Sequence, residues 1–266
     1  MPVFGRTVLR APSERAPGPR RRDTSVTVES TTPPLADEHV LDNAAWHSLV
    51  GRHADLSEGN ELARRFLPDV SIFAGVRSWA HPDVWDAVLD LVGPGALFPF
   101  SGPEATLPAG WEVASRGEGV QLVESDRLET RPDDEAVVLD ARDVPEMLDL
   151  VARTQPGPFA PRTHELGRYV GIRREGRLVA LAGERLQPAG WTEISAVCTD
   201  PAYRGQGLAT RLVLDVAHHV RARGERALLH AAATNTGAIR IYERLGFQLR
   251  RRTAFGALRT PGAGAG

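Results

Sequence analysis

The stretch Arg204-Gly205-Gln206-Gly207-Leu208-Ala209-Thr210 holds the residue types from which an anion site is built. Glycines without a Cβ let a ligand come close to the backbone. Successive N–H groups at a helix start then face negative charge, and a pyrophosphate suits such a loop. Three nucleotide-type loops compete for the stretch. A P-loop needs a lysine, and this chain has none, because all 32 basic residues are arginine. A Rossmann loop needs Gly or Ala where Thr210 stands, and it opens a βαβ unit rather than following an antiparallel meander.

The third loop type fits. Arg204, Gly207 and Ala209 match the pattern Q/R-x-x-G-x-G/A of an acyl-CoA loop. Downstream, Asn235, Ala238, Tyr242, Gly246 and Phe247 match N-x2-A-x3-Y-x3-G-F. On these motifs, and on the order of elements, residues 131 to 256 resemble the GCN5-related N-acetyltransferase (GNAT) superfamily, in its FR47-like branch.

The resemblance implies acetyl-CoA as co-substrate, no metal, and direct transfer to an amine in a ternary complex. It assigns Val197, Cys198 and Thr199 to a strand whose exposed backbone pairs with pantetheine, and Gly205, Gln206, Gly207, Leu208, Ala209 and Thr210 to the pyrophosphate loop. A backbone N–H near Val197 to Thr199 would face the thioester oxygen. Asn235 matches a pantetheine contact, and as a residue type it is also an ordinary helix N-cap. Tyr242 matches the acid that protonates the departing thiolate. Asn235 and Tyr242 lie seven apart, so a helix puts them on one face. Two candidates stand for the base. Glu193 lies on the strand before the loop, and an unbroken strand would aim it with Val197 to one face. His230 lies on the following strand and is a residue type that titrates near neutrality. Against these stand a solvated strand carboxylate for Glu193, a satisfied core histidine for His230 and a packed aromatic for Tyr242.

These residues need positioning elements. From residue 131 the pattern predicts β-α-β-β-β-α-β-α-β. AVVLD is a strand, and Asp143 caps a helix with Pro145 in its first turn. RYVGIRREGRLVALAGERL is a hairpin turning at Glu175-Gly176. WTEISAVCTD is a strand, LATRLVLDVAHHVRARG a helix, ALLHAAA a strand, and QLRRRTAF the last strand, with a short helix from Asn235 to Leu245 before it. The fold class is mixed α/β, an acyl-CoA N-acyltransferase fold in the C-terminal half.

Residues 37 to 130 form a first α/β region, either a degenerate copy of the same fold or a lid over the acceptor pocket. It holds helices at LDNAAWHSLV and HPDVWDAVLDLVG, a strand at GALFPF, and two strands about a Gly-containing turn in WEVASRGEGVQLVES. His47, His53 and His81 are scattered and read as surface or packing residues; His218 and His219 read as solvent-facing. The domain plan is a disordered leader over 1–36, the first region over 37–130, the acetyltransferase domain over 131–260 and a flexible tail over 261–266.

Composition limits the alternatives. The net charge is −2 and charged residues are 25%, which gives no reason to expect nucleic acid or an anionic membrane as partner. Cys198 is the single cysteine, so an intramolecular disulfide and a cysteine-based zinc site are excluded. Buried on its strand, it reads as packing rather than as an acyl carrier. The chain is expected in the cytoplasm, as a monomer or homodimer acting on a small-molecule or protein amine. A second reading is an acyl-CoA-binding sensor without turnover, and a third a transferase of longer acyl groups.

Overall fold

A computed structural model of the chain describes residues 39–102 and 106–263. The expected leader over 1–36 and the end of the expected tail lie outside them. The described residues belong to one compact unit, Glu38–Gly266.

The main sheet begins late in the chain. After a short helix α1 (Ala44–Val50) come three short strands, β1 (Ser57–Gly59), β2 (Ala63–Phe66) and β3 (Ala74–Val76), which form an antiparallel sheet of their own. Helix α2 (Val84–Val92) ends at Gly93 with φ 84°, as its sequence predicts. Strands β4 (Leu97–Gly102) and β5 (Glu112–Glu124) follow. Then β6 (Val137–Leu139), α3 (Val144–Thr154), β7 (Tyr169–Arg174), β8 (Arg177–Glu184), β9 (Trp191–Thr199), α4 (Leu208–Ala222), β10 (Arg226–Ala232), α5 (Thr236–Leu245) and β11 (Phe247–Arg259) reproduce the expected β-α-β-β-β-α-β-α-β order. Eight strands join in the order β4-β11-β5-β10-β9-β8-β7-β6. The turn between β7 and β8 has Glu175 at φ 52° and Gly176 at φ 79°, the left-handed pair that a two-residue hairpin needs.

Amphipathic helices cover both faces. On α4, Leu208, Leu212, Val213, Val216, Ala217 and Val220 are buried at three- and four-residue spacing. They pack with α5 residues on Val170, Ile172, Ala182, Ile194, Leu229 and Phe247. On the other face α3 brings Met147, Leu150 and Val151 onto Tyr169, Leu181 and Cys198. Beside α3, the N-terminal segment covers the same face: Leu41 packs on Val123 and Leu228, and Leu49, Phe66 and Val70 pack on Leu166 and Leu186.

Two features differ from the sequence reading. WEVASRGEGVQLVES is not two strands about a turn but holds a single 13-residue strand, β5. Its glycines make room for a neighbour instead of turning the chain. A Cβ on Gly117 would lie 2.7 Å from the Phe255 ring on β11, and one on Gly119 3.1 Å from Thr253. The sheet also runs across the boundary expected near residue 130. β5 precedes that point, yet it pairs antiparallel with β10 on one side and β11 on the other. Hydrogen bonding between strands therefore joins the first region to the second. Among the described residues no helix is long and apolar enough to cross a membrane.

Candidate active site

The sheet opens where β9 and β10 part. They run parallel and pair at Trp191–Arg226, Thr192–Ala227 and Glu193–Leu228, and the ladder ends there. From Ile194 to Thr199, β9 keeps its partner β8 on one side only. Two features hold the strands apart. Ala196 takes a left-handed backbone with φ 55°, and the β8–β9 register shifts between Leu181 and Gly183. This is a β-bulge, which bends a strand and re-aims the side chains beyond it.

The bulge overturns one detail of the alternation argument. Glu193 O accepts from Arg185 N at 2.9 Å while Glu193 N donates to Leu186 O at 2.8 Å, and its side chain meets that of Arg185 on the face toward the N-terminal segment. After the bulge it is Cys198, not Val197, that pairs with Leu181 and packs under α3 on that face. Val197 turns to the opposite face, against the α4 side. Cys198 is buried, and burial pushes its thiol up to about 11. Thr199 Oγ1, at the end of the one-sided edge, is buried with no hydrogen-bond partner among the described residues.

The loop comes directly after this edge. Pro201–Tyr203 form a 3-10 turn capped by the Asp200 carboxylate, and Arg204 Nε donates to Thr199 O at 3.4 Å. Gly205 and Gly207 have φ of 81° and 73°, and a Cβ built on either meets nothing within 4 Å. Glycine is required there by backbone conformation, and the space beside it is open. Gly207 is the N-cap of the 15-residue α4 and offers no side-chain cap. The first amides of α4 therefore lack partners within the helix and carry its positive dipole end. Leu208 turns into the core, so at that position the loop offers its backbone alone. This donor set fits a pyrophosphate.

Beside the parting lies a buried charge cluster. Glu193 is fully buried, and its two oxygens accept from Arg185 at 2.9 and 2.6 Å. The Oε1 atom also meets His230 Nδ1 at 2.8 Å. Burial alone would raise the Glu193 pKa, but Arg185 and then His230 hold the carboxyl well below the usual range. Arg185 itself stacks 4.3 Å over the Phe73 ring from the N-terminal segment. On the far side of the imidazole, Gln121 Nε2 lies 3.0 Å from His230 Nε2.

The structure brings Glu193 and His230, the two base candidates, into contact. It also adds two residues that the sequence does not flag. Arg185 is the mirror partner of Glu193 about the Pro188–Gly190 turn, a signal legible only once the β8–β9 register is known. Gln121 gives no signal, because β5 reads as a hairpin in the sequence. Tyr242 lies on α5 with its ring buried, edge-on to Phe247. Burial pushes its phenol up to about 12. The hydroxyl has no hydrogen-bond partner among the described residues and is not sealed from solvent. Asn235 caps α5, its side chain accepting from Ala238 N at 3.2 Å. His218 and His219 are half-buried on α4 rather than solvated. His53 is a satisfied core histidine between Ser48 Oγ and Leu166 O. Among the described residues no cluster could hold a metal ion. A cavity of about 310 Å³ lined by Glu58, Asn60, Arg65 and Asp90 lies on the small sheet, apart from this chemistry.

Known proteins resemble this chain in sequence and fold. The FR47-like protein family matches residues 169–255, from β7 into β11. A solved GNAT-family structure from Novosphingobium aromaticivorans is 36% identical, with a TM-score of 0.77 over 85% of this chain and 100% of that one. The mycothiol acetyltransferase of Thermobifida fusca is 32% identical over 71% of this chain and 67% of its own length. That of Thermobispora bispora is 34% identical over 65% of this chain. The chain thus spans about three fifths of the length of the Thermobispora protein, 62%. With its parted strands, glycine loop and these relatives, the chain belongs to the GNAT superfamily and carries an FR47-like segment.

Proposed function

We propose that the chain is an N-acetyltransferase that moves an acetyl group from acetyl-CoA to an amine by direct transfer in a ternary complex. The observation that carries the reading is the one-sided edge of β9 from Ile194 to Thr199, running straight into the loop at Gly205. A pantetheine amide can complete that edge as a strand would. The loop amides and the α4 terminus then take the pyrophosphate. Thr199 Oγ1 supplies a polar group awaiting a partner. The name acetyltransferase on the relatives supports acetyl as the donor group.

The chemistry takes two protons from the acceptor ammonium and gives one to the departing thiolate. Glu193 suits the first task poorly, since Arg185 already holds both its oxygens. His230 suits it better. Its Nε2 accepts a proton from the ammonium of the acceptor, and Glu193 anchors Nδ1 and steadies the imidazolium that forms. The freed lone pair attacks the thioester carbonyl while a β9 backbone N–H faces the developing oxyanion. The C–S bond breaks, Tyr242 gives its proton to the departing thiolate, and the acylated nitrogen returns its surplus proton to the Tyr242 phenolate as the amide forms; His230 then releases its proton to solvent. The N-terminal segment, carrying Phe73 and Leu41 over the same face, forms the wall of the acceptor pocket.

The test is release of the CoA thiol from acetyl-CoA across a panel of small amines and peptide N-termini. Turnover with one class, reduced at least 100-fold in His230→Gln, supports the reading. Tight acetyl-CoA binding with no turnover on any amine would make the chain a cofactor-binding module instead.

A further inference from the structure

Gln121 is held in one orientation by partners that leave it no choice. Its Oε1 accepts from Arg250 Nη1 at 2.7 Å. Its Nε2 donates to Leu41 O at 2.9 Å. A guanidinium can only donate and a carbonyl can only accept, so the amide cannot be turned over without breaking both bonds. The side chain is 3% exposed, so water does not offer an alternative. Arg250 is anchored in turn by Asp42 at 2.7 Å, which also receives Arg251 at 2.8 Å.

The orientation of Gln121 fixes the tautomer of His230. The amide presents N–H to His230 Nε2 at 3.0 Å, so Nε2 must be the lone-pair nitrogen. The ring proton then sits on Nδ1 and is donated to Glu193 Oε1 at 2.8 Å. Gln121 disfavours a proton on Nε2, because an Nε2–H would point at an N–H donor.

We propose that Gln121 is a positioning residue that locks His230 as the neutral Nδ1–H tautomer, keeping the Nε2 lone pair available to the acceptor amine. The inference rests on His230 being the base. When the ammonium docks, its N–H replaces the Gln121 amide at Nε2. The amine N–H bond breaks and an Nε2–H bond forms. Leu41 O and Arg250 hold Gln121 nearby, so the protonated ring cannot regain its old partner until that proton has left. The charged groups around the ring are Glu193 from β9, Arg185 behind it from β8, Arg250 and Arg251 from β11, and Asp42 from the N-terminal segment. Each is paired, so the uncharged Gln121 decides which form of the ring is stable.

The test is histidine 15N spectroscopy of the full chain, with His230 assigned by loss of its signals in His230→Gln. The wild type should show a bare Nε2 and a protonated Nδ1 at neutral pH. In Gln121→Glu a carboxylate that can only accept replaces the donor, and Nε2 should gain a proton. A second carboxylate at this distance should move the acidic limb of the kcat/KM profile up by about one pH unit or more. A protonated Nε2 in the wild type, or a limb that stays put in a folded Gln121→Glu, would overturn the proposal. The spectrum needs no activity. A bare Nε2 in a protein that transfers no acetyl group would therefore sink the transferase reading and leave the tautomer lock standing.

Discussion

Tyr242 presents a buried ring whose oxygen no group among the described residues holds, and this state decides what it can do. A phenol pushed up to about 12 by burial stays protonated through the whole working range. It can give a proton to a thiolate but cannot act as a base near neutrality. Tyr242→Phe should lower kcat about 100-fold or more and leave acetyl-CoA affinity unchanged, as separated by turnover and by titration calorimetry. An unchanged kcat would remove it as the acid. Glu193 and Arg185 lead to a second prediction. The carboxyl is held below its ordinary range, so the pair stabilises the fold above that range and the contribution is lost as pH falls through it. Arg185→Met strips the buried charge of its counter-ion and should cost about 3–5 kcal/mol in urea unfolding at pH 7. The loss should shrink toward pH 4, where Glu193 in the variant takes up a proton. Tyr242, Gly207 and Ala209 can be picked out in the sequence because they belong to family motifs of fixed local spacing. The state of Glu193 is not, since it depends on a residue across the sheet and another on β10.

At the scale of elements, the loop and the bulged strand act together. Gly205 and Gly207 are legible from sequence because φ above zero leaves few alternatives to glycine. The bulge is not legible: nothing in Ser195-Ala196-Val197 marks a left-handed alanine, and strict alternation therefore places Val197 on the wrong face. Gly207→Val should cost about 1–2 kcal/mol of stability from strain at φ 73°. It should weaken acetyl-CoA far more than it weakens the fold, because the β-branched side chain fills the space beside the first amides of α4. Equal affinity for acetyl-CoA in a folded Gly207→Val would separate the loop from pyrophosphate binding. The long β5 escapes a sequence reading because Gly117 and Gly119 look like a turn until Phe255 and Thr253 are seen lying over them.

The whole molecule is joined by a strand that the domain plan assigns to the other half. β5 separates β10 from β11, and both would become bare edges without it. A chain starting at residue 131 should therefore fail to fold alone, giving a poorly dispersed amide spectrum and aggregation. A well-dispersed spectrum from that fragment would restore the boundary. The order of elements after residue 131 is legible from hydrophobic period and caps. The β5 pairing is not, because strand partners more than 100 residues apart leave no trace in local pattern. The central claim concerns what this sheet and loop bind together, and thermal unfolding against acetyl-CoA, CoA, ATP and NAD tests it most directly. At about 100 times its dissociation constant, acetyl-CoA should add roughly 2.7 kcal/mol, a rise of about 5–10 °C for a chain of this size. CoA should act similarly, ATP and NAD should do little, and Gly207→Val should abolish the shift. A transition that ignores CoA species, or that rises as much with NAD, would contradict the account.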